Sequence, residues 1–307
     1  MKIIVIGCGR LGSQLVRKID TEAHEIVVID KERSVLEGAG LPRRMRSYVG
    51  NAIDEDLLRE AGADSADVVL ALTRDENTNL MIAQLARVVF DVPKVTAVVY
   101  DTQREASFHE AGIETLAITA AGAELLAARL EGVPSPAGLA QEPWHATPQA
   151  TARVPLRPFE TLDGSFYVIV VGGGLVGFYL SRGLLKNGHE VTIIERNPET
   201  YALVSEHIDC PVLLGDGSTI AVLERAGASR ANLMCAVTSR DQDNLIACQI
   251  GKFHFGIPKA VARVKNPKNE AVMRRLGVDT TVSSTAIITN LIESERSAAT
   301  VRKTTLG

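Results

Sequence analysis

Two glycine turns carry most of the chemical information in this chain. Gly7-Cys8-Gly9-Arg10-Leu11-Gly12 and Gly172-Gly173-Gly174-Leu175-Val176-Gly177 share the spacing GxGxxG. Each follows a strand-sized aliphatic run, Ile3 to Ile6 and Tyr167 to Val171, and each precedes residues at helical spacing. In that setting the three glycines have separate reasons. The first allows a tight turn, the second lets the backbone approach a pyrophosphate, and the third lets the helix pack close to the strand. The pyrophosphate would then meet the free N–H groups at the helix N-terminus. Roughly 20 residues further on, at the end of the second strand, stands an acidic residue. It is Asp30 in one case and Glu195 in the other. A carboxylate there would bind ribose hydroxyls and repel a 2′-phosphate, favouring NAD or another adenine nucleotide over NADP. The alternative is a glycine turn that binds nothing.

Other candidates cluster at strand ends. Asn51-Ala52 and Asp216-Gly217 follow the third strand of each copy, where a small or polar side chain could hold an adenine edge. Thr73-Arg74 and Thr238-Ser239 follow the fourth. These loops belong to the carboxyl edge of the sheet, where ligands bind in open α/β folds. They also read as helix N-caps, with Asp54, Thr219 and Asp75 well placed for that role. Arg10 could add a charge-assisted phosphate contact, but its counterpart is Leu175. Arg263 ends the fifth strand of the second copy, where the first copy has Val98.

The elements that must position these residues are repeated. An offset of 165 residues (172 − 7) superimposes the glycine turns, His24-Glu25 on His189-Glu190, Ala61-Gly62-Ala63 on Ala226-Gly227-Ala228, and Asn79-Leu80 on Asn244-Leu245. A period this long is a domain duplication, not a solenoid. In the first copy, strands are expected at Ile3–Ile6, Ile26–Ile29, Arg46–Val49, Val68–Leu72, Val95–Val99 and Thr115–Ile118. Helices are expected at Leu11–Ile19, Asp54–Ala61 and Asn77–Val89. Strands apolar on both faces, each followed by a helix, imply a parallel doubly wound sheet. The fold class is therefore α/β, with two tandem Rossmann-type domains over 1–130 and 166–297. Residues 131–165 hold six of the twelve prolines and read as a linker, with Trp144 inside it and a tail over 298–307.

Composition excludes several classes. A net charge of −4 gives no electrostatic case for nucleic acid or an anionic surface. The apolar runs fall far short of the ~20 residues of a membrane span, and the first residues lack the apolar core of a signal peptide. Direct membrane insertion is thus not expected. Cys8, Cys210, Cys235 and Cys248 form no CxxC pair and read as small buried residues of a reduced, cytoplasmic compartment. A redox-sensitive thiol at Cys8 is the alternative. His24 and His189 read as structural residues of one exposed turn. No GxSxG, HExxH or P-loop occurs, and little chain follows each set of strands to present a substrate, so no enzyme is expected and no metal site.

The run Met1 to Gly12 resembles the opening of an RCK domain, a regulator of potassium conductance. So do Gly215-Asp216-Gly217, Ala226-Gly227-Ala228, Ala236-Val237-Thr238, Asp241 to Asn244, and Ala262 to Pro267. Two such domains resemble the TrkA-type regulatory subunits of bacterial potassium uptake systems. The resemblance implies a cytoplasmic subunit, peripheral on the inner face of the membrane, that binds NAD(H) or ATP and ADP and gates a potassium-translocating membrane subunit. Carried over, the ligand positions are Gly7 to Leu11, Asp30, Thr73 and Arg74, then Gly172 to Val176, Glu195, Thr238, Ser239 and Arg263. It also implies a homo-oligomer, a dimer or a higher ring, paired through a crossover helix for which Ala120–Leu130 and Thr285–Ile292 are candidates. The rival readings are a regulator of another cation transporter or antiporter and an NAD-dependent oxidoreductase.

Overall fold

Ile3, Ile4, Val5 and Ile6 are all buried, as a strand covered on both faces requires. The same holds for Val168 to Val171. These two strands centre two separate sheets in the computed structural model, which describes residues 1–19, 22–42, 45–99, 113–117, 156 and 164–283. The chain divides into two units, Met1–Arg153 and Val154–Gly307, one for each copy of the repeat.

The first unit runs β1 (Lys2–Ile6), α1 (Arg10–Lys18), β2 (Glu25–Asp30), α2 (Arg33–Gly38), β3 (Arg46–Val49), α3 (Glu55–Glu60), β4 (Val68–Ala71), α4 (Glu76–Val88), β5 (Lys94–Val99) and β6 (Glu114–Ala117). The second runs β7 (Tyr167–Val171), α5 (Leu175–Lys186), β8 (Glu190–Glu195), α6 (Pro198–His207), β9 (Val212–Leu214), α7 (Ile220–Arg225), β10 (Leu233–Ala236), α8 (Asp241–Gln249), β11 (Lys259–Arg263), α9 (Asn269–Arg275) and β12 (Thr280–Val282). A short π-helical segment, Ile250–His254, extends α8. Every strand pairing is parallel. The orders are β3-β2-β1-β4-β5-β6 and β9-β8-β7-β10-β11-β12. The order in which strands are added therefore reverses between β1 and β4, and between β7 and β10, which opens a crevice at the carboxyl edge beside each glycine turn.

The expected elements are found, with ends shifted by about one residue, as helix and strand termini commonly are. Two expectations need correction. Thr219 occupies the N-cap position of α7 but makes no side-chain cap. Its hydroxyl donates instead to the carbonyl of Asp216 at 2.8 Å, whereas Asp54 and Asp75 do cap, accepting from Asp56 N and Thr78 N. His24 and His189 are half-buried rather than exposed. His189 stacks near Phe166 and accepts from its backbone N–H. The expected domain ends at 130 and 297, most of the linker, Trp144 and the candidate crossover helices lie outside the described residues.

Close helix–strand approach fixes each unit. A Cβ on Gly12 would overlap the carbonyl oxygen of Gly7, and one on Gly177 that of Gly172. By contrast, a Cβ on Gly9 or Gly174 would meet nothing within 4 Å. Gly177→Ala should therefore lower stability by about 3 kcal/mol or more, beyond the usual overpacking range. Gly174→Ala should change it by about 1 kcal/mol or less, the difference between these residues at an N-cap. Urea unfolding of the two variants beside the parent chain checks the contrast.

Candidate functional site

The glycine turns are built alike. Gly7 and Gly172 have φ of +95° and +106°, the left-handed region that disfavours side chains. Each donates its N–H across the sheet, Gly7 to Ile29 O and Gly172 to Ile194 O, both at 2.8 Å. The acidic residue at the end of the next strand then clamps the turn. Cys8 N donates to Asp30 Oδ2 at 2.8 Å and Gly173 N to Glu195 Oε2 at 2.6 Å. The second carboxylate oxygen accepts from Glu32 N at 3.0 Å and from Asn197 N at 2.8 Å. The same residues hold the third-strand turn through their carbonyls, which accept from Gly50 N and Gly215 N at 2.9 Å. Asp30 and Glu195 thus organise the turn through both carboxylate oxygens.

In the second unit the expected residues converge. Gly172, Gly174, Leu175, Val176, Glu195, Asp216, Gly217, Thr238, Ser239 and Arg263 line one cleft of about 390 Å³, a size in the range of small-molecule sites. Gly173 and Gly177 do not line it. Gly173 is spent on the Glu195 clamp, and Gly177 on helix packing. The lining also includes Arg196, Thr200 and Ser218, which the sequence did not single out, and Asp243, which it gave only within the run Asp241 to Asn244.

In the first unit the expected residues occupy the matching strand ends. Arg10, Leu11, Asn51 and Arg74 are exposed there, Gly9, Asp30 and Thr73 half-exposed, and Gly7, Cys8, Gly12 and Ala52 buried. Val98, the counterpart of Arg263, is buried in the core.

A pair of asparagines fixes the fourth-strand loops. Asn79 is fully buried. Its Oδ1 accepts from Thr73 N at 2.8 Å and Thr73 Oγ1 at 2.7 Å, and its Nδ2 donates to Thr73 O and Val98 O at 3.0 and 2.9 Å. Asn244 repeats this with Thr238 N, Thr238 Oγ1, Thr238 O and Arg263 O at 2.9, 2.7, 3.2 and 2.8 Å. The threonine turns are thereby tied to the end of the fifth strand. In the second unit Asp241, only 4% exposed, adds a further tie. It accepts from Lys265 N, Asn266 N and Asn269 Nδ2, holding the chain just beyond Arg263.

The cysteines are not activated. Burial, then the Asp30 carboxylate, pushes the Cys8 thiol above its ordinary pKa. Burial raises Cys210 to about 11, Cys235 to about 12 and Cys248 higher still. Cys210 is half-buried, so only three of the four are the buried residues expected. Among the described residues no cluster could hold a metal ion, and no helix is long and apolar enough to cross a membrane.

The model of the TrkA-N domain matches residues 3–119 and again residues 168–284. The chain belongs to the TrkA-N domain family. Its two TrkA-N domains are the two sheets with their glycine turns. The Trk system potassium uptake protein TrkA homolog of Methanothermobacter thermautotrophicus is 38% identical over 117 residues, 38% of this chain and 54% of that protein. TrkA of Halomonas elongata is 24% identical over 333 residues, 87% of this chain and 72% of that protein. The chain spans little more than half the length of the first of these relatives. Among solved structures, the GsuK RCK domain is 17% identical, with 97% of this chain and 77% of that chain covered and a TM-score of 0.37.

Two outcomes follow for these TrkA-N domains. Asn244→Asp loses the donor to Thr238 O and Arg263 O and sets a buried carboxylate against two carbonyls. It should lower stability by about 3 kcal/mol, read as a fall in the denaturant midpoint of the second domain; a change under about 0.5 kcal/mol, within the noise of surface substitutions, would contradict the pinning role. Raised thiol pKa values leave little thiolate at pH 8. Iodoacetamide, followed by mass spectrometry, should therefore label native Cys8, Cys235 and Cys248 far more slowly than the urea-unfolded chain, and fast labelling of Cys8 would revive a redox role.

Proposed function

We propose that this chain is a nucleotide-sensing regulatory subunit of a potassium uptake system rather than an enzyme. It would bind NAD(H) or ATP/ADP in lobes 1–130 and 166–297, joined by the 131–165 linker and followed by the 298–307 tail. The observation that carries the nucleotide reading is the middle glycine of each turn. Gly7 and Gly172 are needed for their φ, and Gly12 and Gly177 for packing. Gly9 has φ −65° and Gly174 has φ −61°, values any residue adopts, and each faces open space. Nothing among the described residues requires glycine there, whereas a pyrophosphate against the N-termini of α1 and α5 would.

The residues present fit such a ligand. The N–H groups at the start of α5 and the Arg263 side chain would take phosphate oxygens. Glu195, already holding two N–H groups, keeps lone pairs for ribose hydroxyls, and Asp216, which lines the same cleft, would meet the adenine edge. In the first lobe Asp30 and Asn51 stand at the positions of Glu195 and Asp216, and Arg10 and Arg74, whose counterparts are Leu175 and Ser239, would take phosphate oxygens. The partner reading rests on relatives named as Trk potassium uptake proteins. The chain would sit in the cytoplasm on the inner face of the cell membrane as a homodimer or larger ring, where a potassium-translocating membrane subunit would read a change in the lobes with a coupling of about 1–3 kcal/mol.

Calorimetric titration with NADH, NAD, ATP and ADP tests the nucleotide reading, alongside Gly9→Asp and Gly174→Asp. Aspartate is a good N-cap, so both variants should fold, while its charge opposes phosphate in one lobe only. Two classes of site, each lost in its own variant, is the expected result. Failure of all four nucleotides to bind the parent chain would remove this function, and unchanged flux through a co-expressed potassium transporter would remove the partner.

A further inference from the structure

An ion pair spans the cleft of the second lobe and has no counterpart in the first. Arg196 follows Glu195 at the end of β8, and its Nη1 lies 3.1 Å from Oδ2 of Asp243 in the first turn of α8. The sheet order places β7 and its glycine turn between β8 and β10, the strand that leads into α8. The guanidinium therefore reaches past the carboxyl end of β7, where a pyrophosphate would lie. Arg196, Asp243, Gly174 and Leu175 all border the same cleft.

The two ends of the pair are unlike. The Asp243 side chain is 6% exposed and that of Arg196 is 52% exposed. Asp243 has a second cation, Arg240, with Nη1 at 3.5 Å. At the 165-residue offset Arg196 becomes Lys31 and Asp243 becomes Thr78. Lys31 lies 3.9 Å from its neighbour Glu32, and the Thr78 hydroxyl donates to Asp75 at 2.6 Å. The strap therefore belongs to the second lobe.

We propose that Arg196 is a phosphate-binding residue of the second lobe, held in reserve by Asp243 and transferred to a pyrophosphate when a nucleotide enters. A guanidinium offers planar paired donors suited equally to carboxylate and phosphate. Its solvent-facing end can swing while the buried Asp243 keeps Arg240, so the exchange strands no charge. The ligand class is a nucleoside diphosphate or dinucleotide rather than a nucleoside. This inference rests on the nucleotide reading above.

The test uses the full chain carrying Gly9→Asp, which blocks the first lobe, titrated with ADP, NADH and adenosine. Arg196→Gln should weaken ADP and NADH about tenfold, the effect of one charge-assisted hydrogen bond, and leave adenosine unchanged. Asp243→Asn should tighten ADP and NADH by about threefold or more, and this gain should vanish in the Arg196→Gln background, as coupled residues require. An equal loss for adenosine, or an Asp243→Asn effect independent of Arg196, would overturn the reserve role. If none of the three binds the Gly9→Asp chain, the nucleotide reading of the second lobe falls and the strap falls with it.

Discussion

The absence of a side chain between a helix and the strand before it underlies both halves of this protein. With hydrogen alone at Gly12 and Gly177, α1 and α5 rest against the carbonyls of Gly7 and Gly172. That contact aims the helix N-termini over the carboxyl ends of β1 and β7, at the point where the strand order reverses. Asp30 and Glu195 then tie the turn to the neighbouring strand, and the carbonyls of the same two residues hold the next turn at Gly50 and Gly215. A row of backbone donors is thus fixed in place before any ligand arrives, so little ordering remains to oppose binding.

The duplicated halves share this frame and differ in the side chains set on it. The first presents Arg10 and Arg74 at its rim, both exposed. The second presents Leu175 and Ser239 there, and places its cations, Arg196 and Arg263, within the cleft. Asp241 and Asn244 brace the segment around Arg263, whereas the corresponding residue of the first half, Val98, is packed in the core. One backbone frame thus carries two different placements of charge.

Much of this was legible in the sequence, because the offset repeat located both glycine turns and the strand ends twice over. The glycine roles followed from spacing, since a positive φ and a missing Cβ are local demands. The Asn79 and Asn244 pins were visible only as identities. Their meaning depends on a loop that folds back six residues and on a strand end 19 residues away. The Arg196–Asp243 pair joins residues 47 apart across a third strand, and Asp243 reads in sequence as an ordinary first-turn helix acid. Thr219 shows the opposite error, a good capping residue drawn to Asp216 by the turn before it.

The middle glycines leave open space against the helix N-termini, the room that a phosphate there needs. Amide hydrogen exchange of the full chain, read by mass spectrometry with and without saturating NADH or ADP, tests it directly. Protection should concentrate in peptides spanning residues 7–12 and 172–177 and the loops after the second and third strands. Protection confined to other segments, or none, would contradict it.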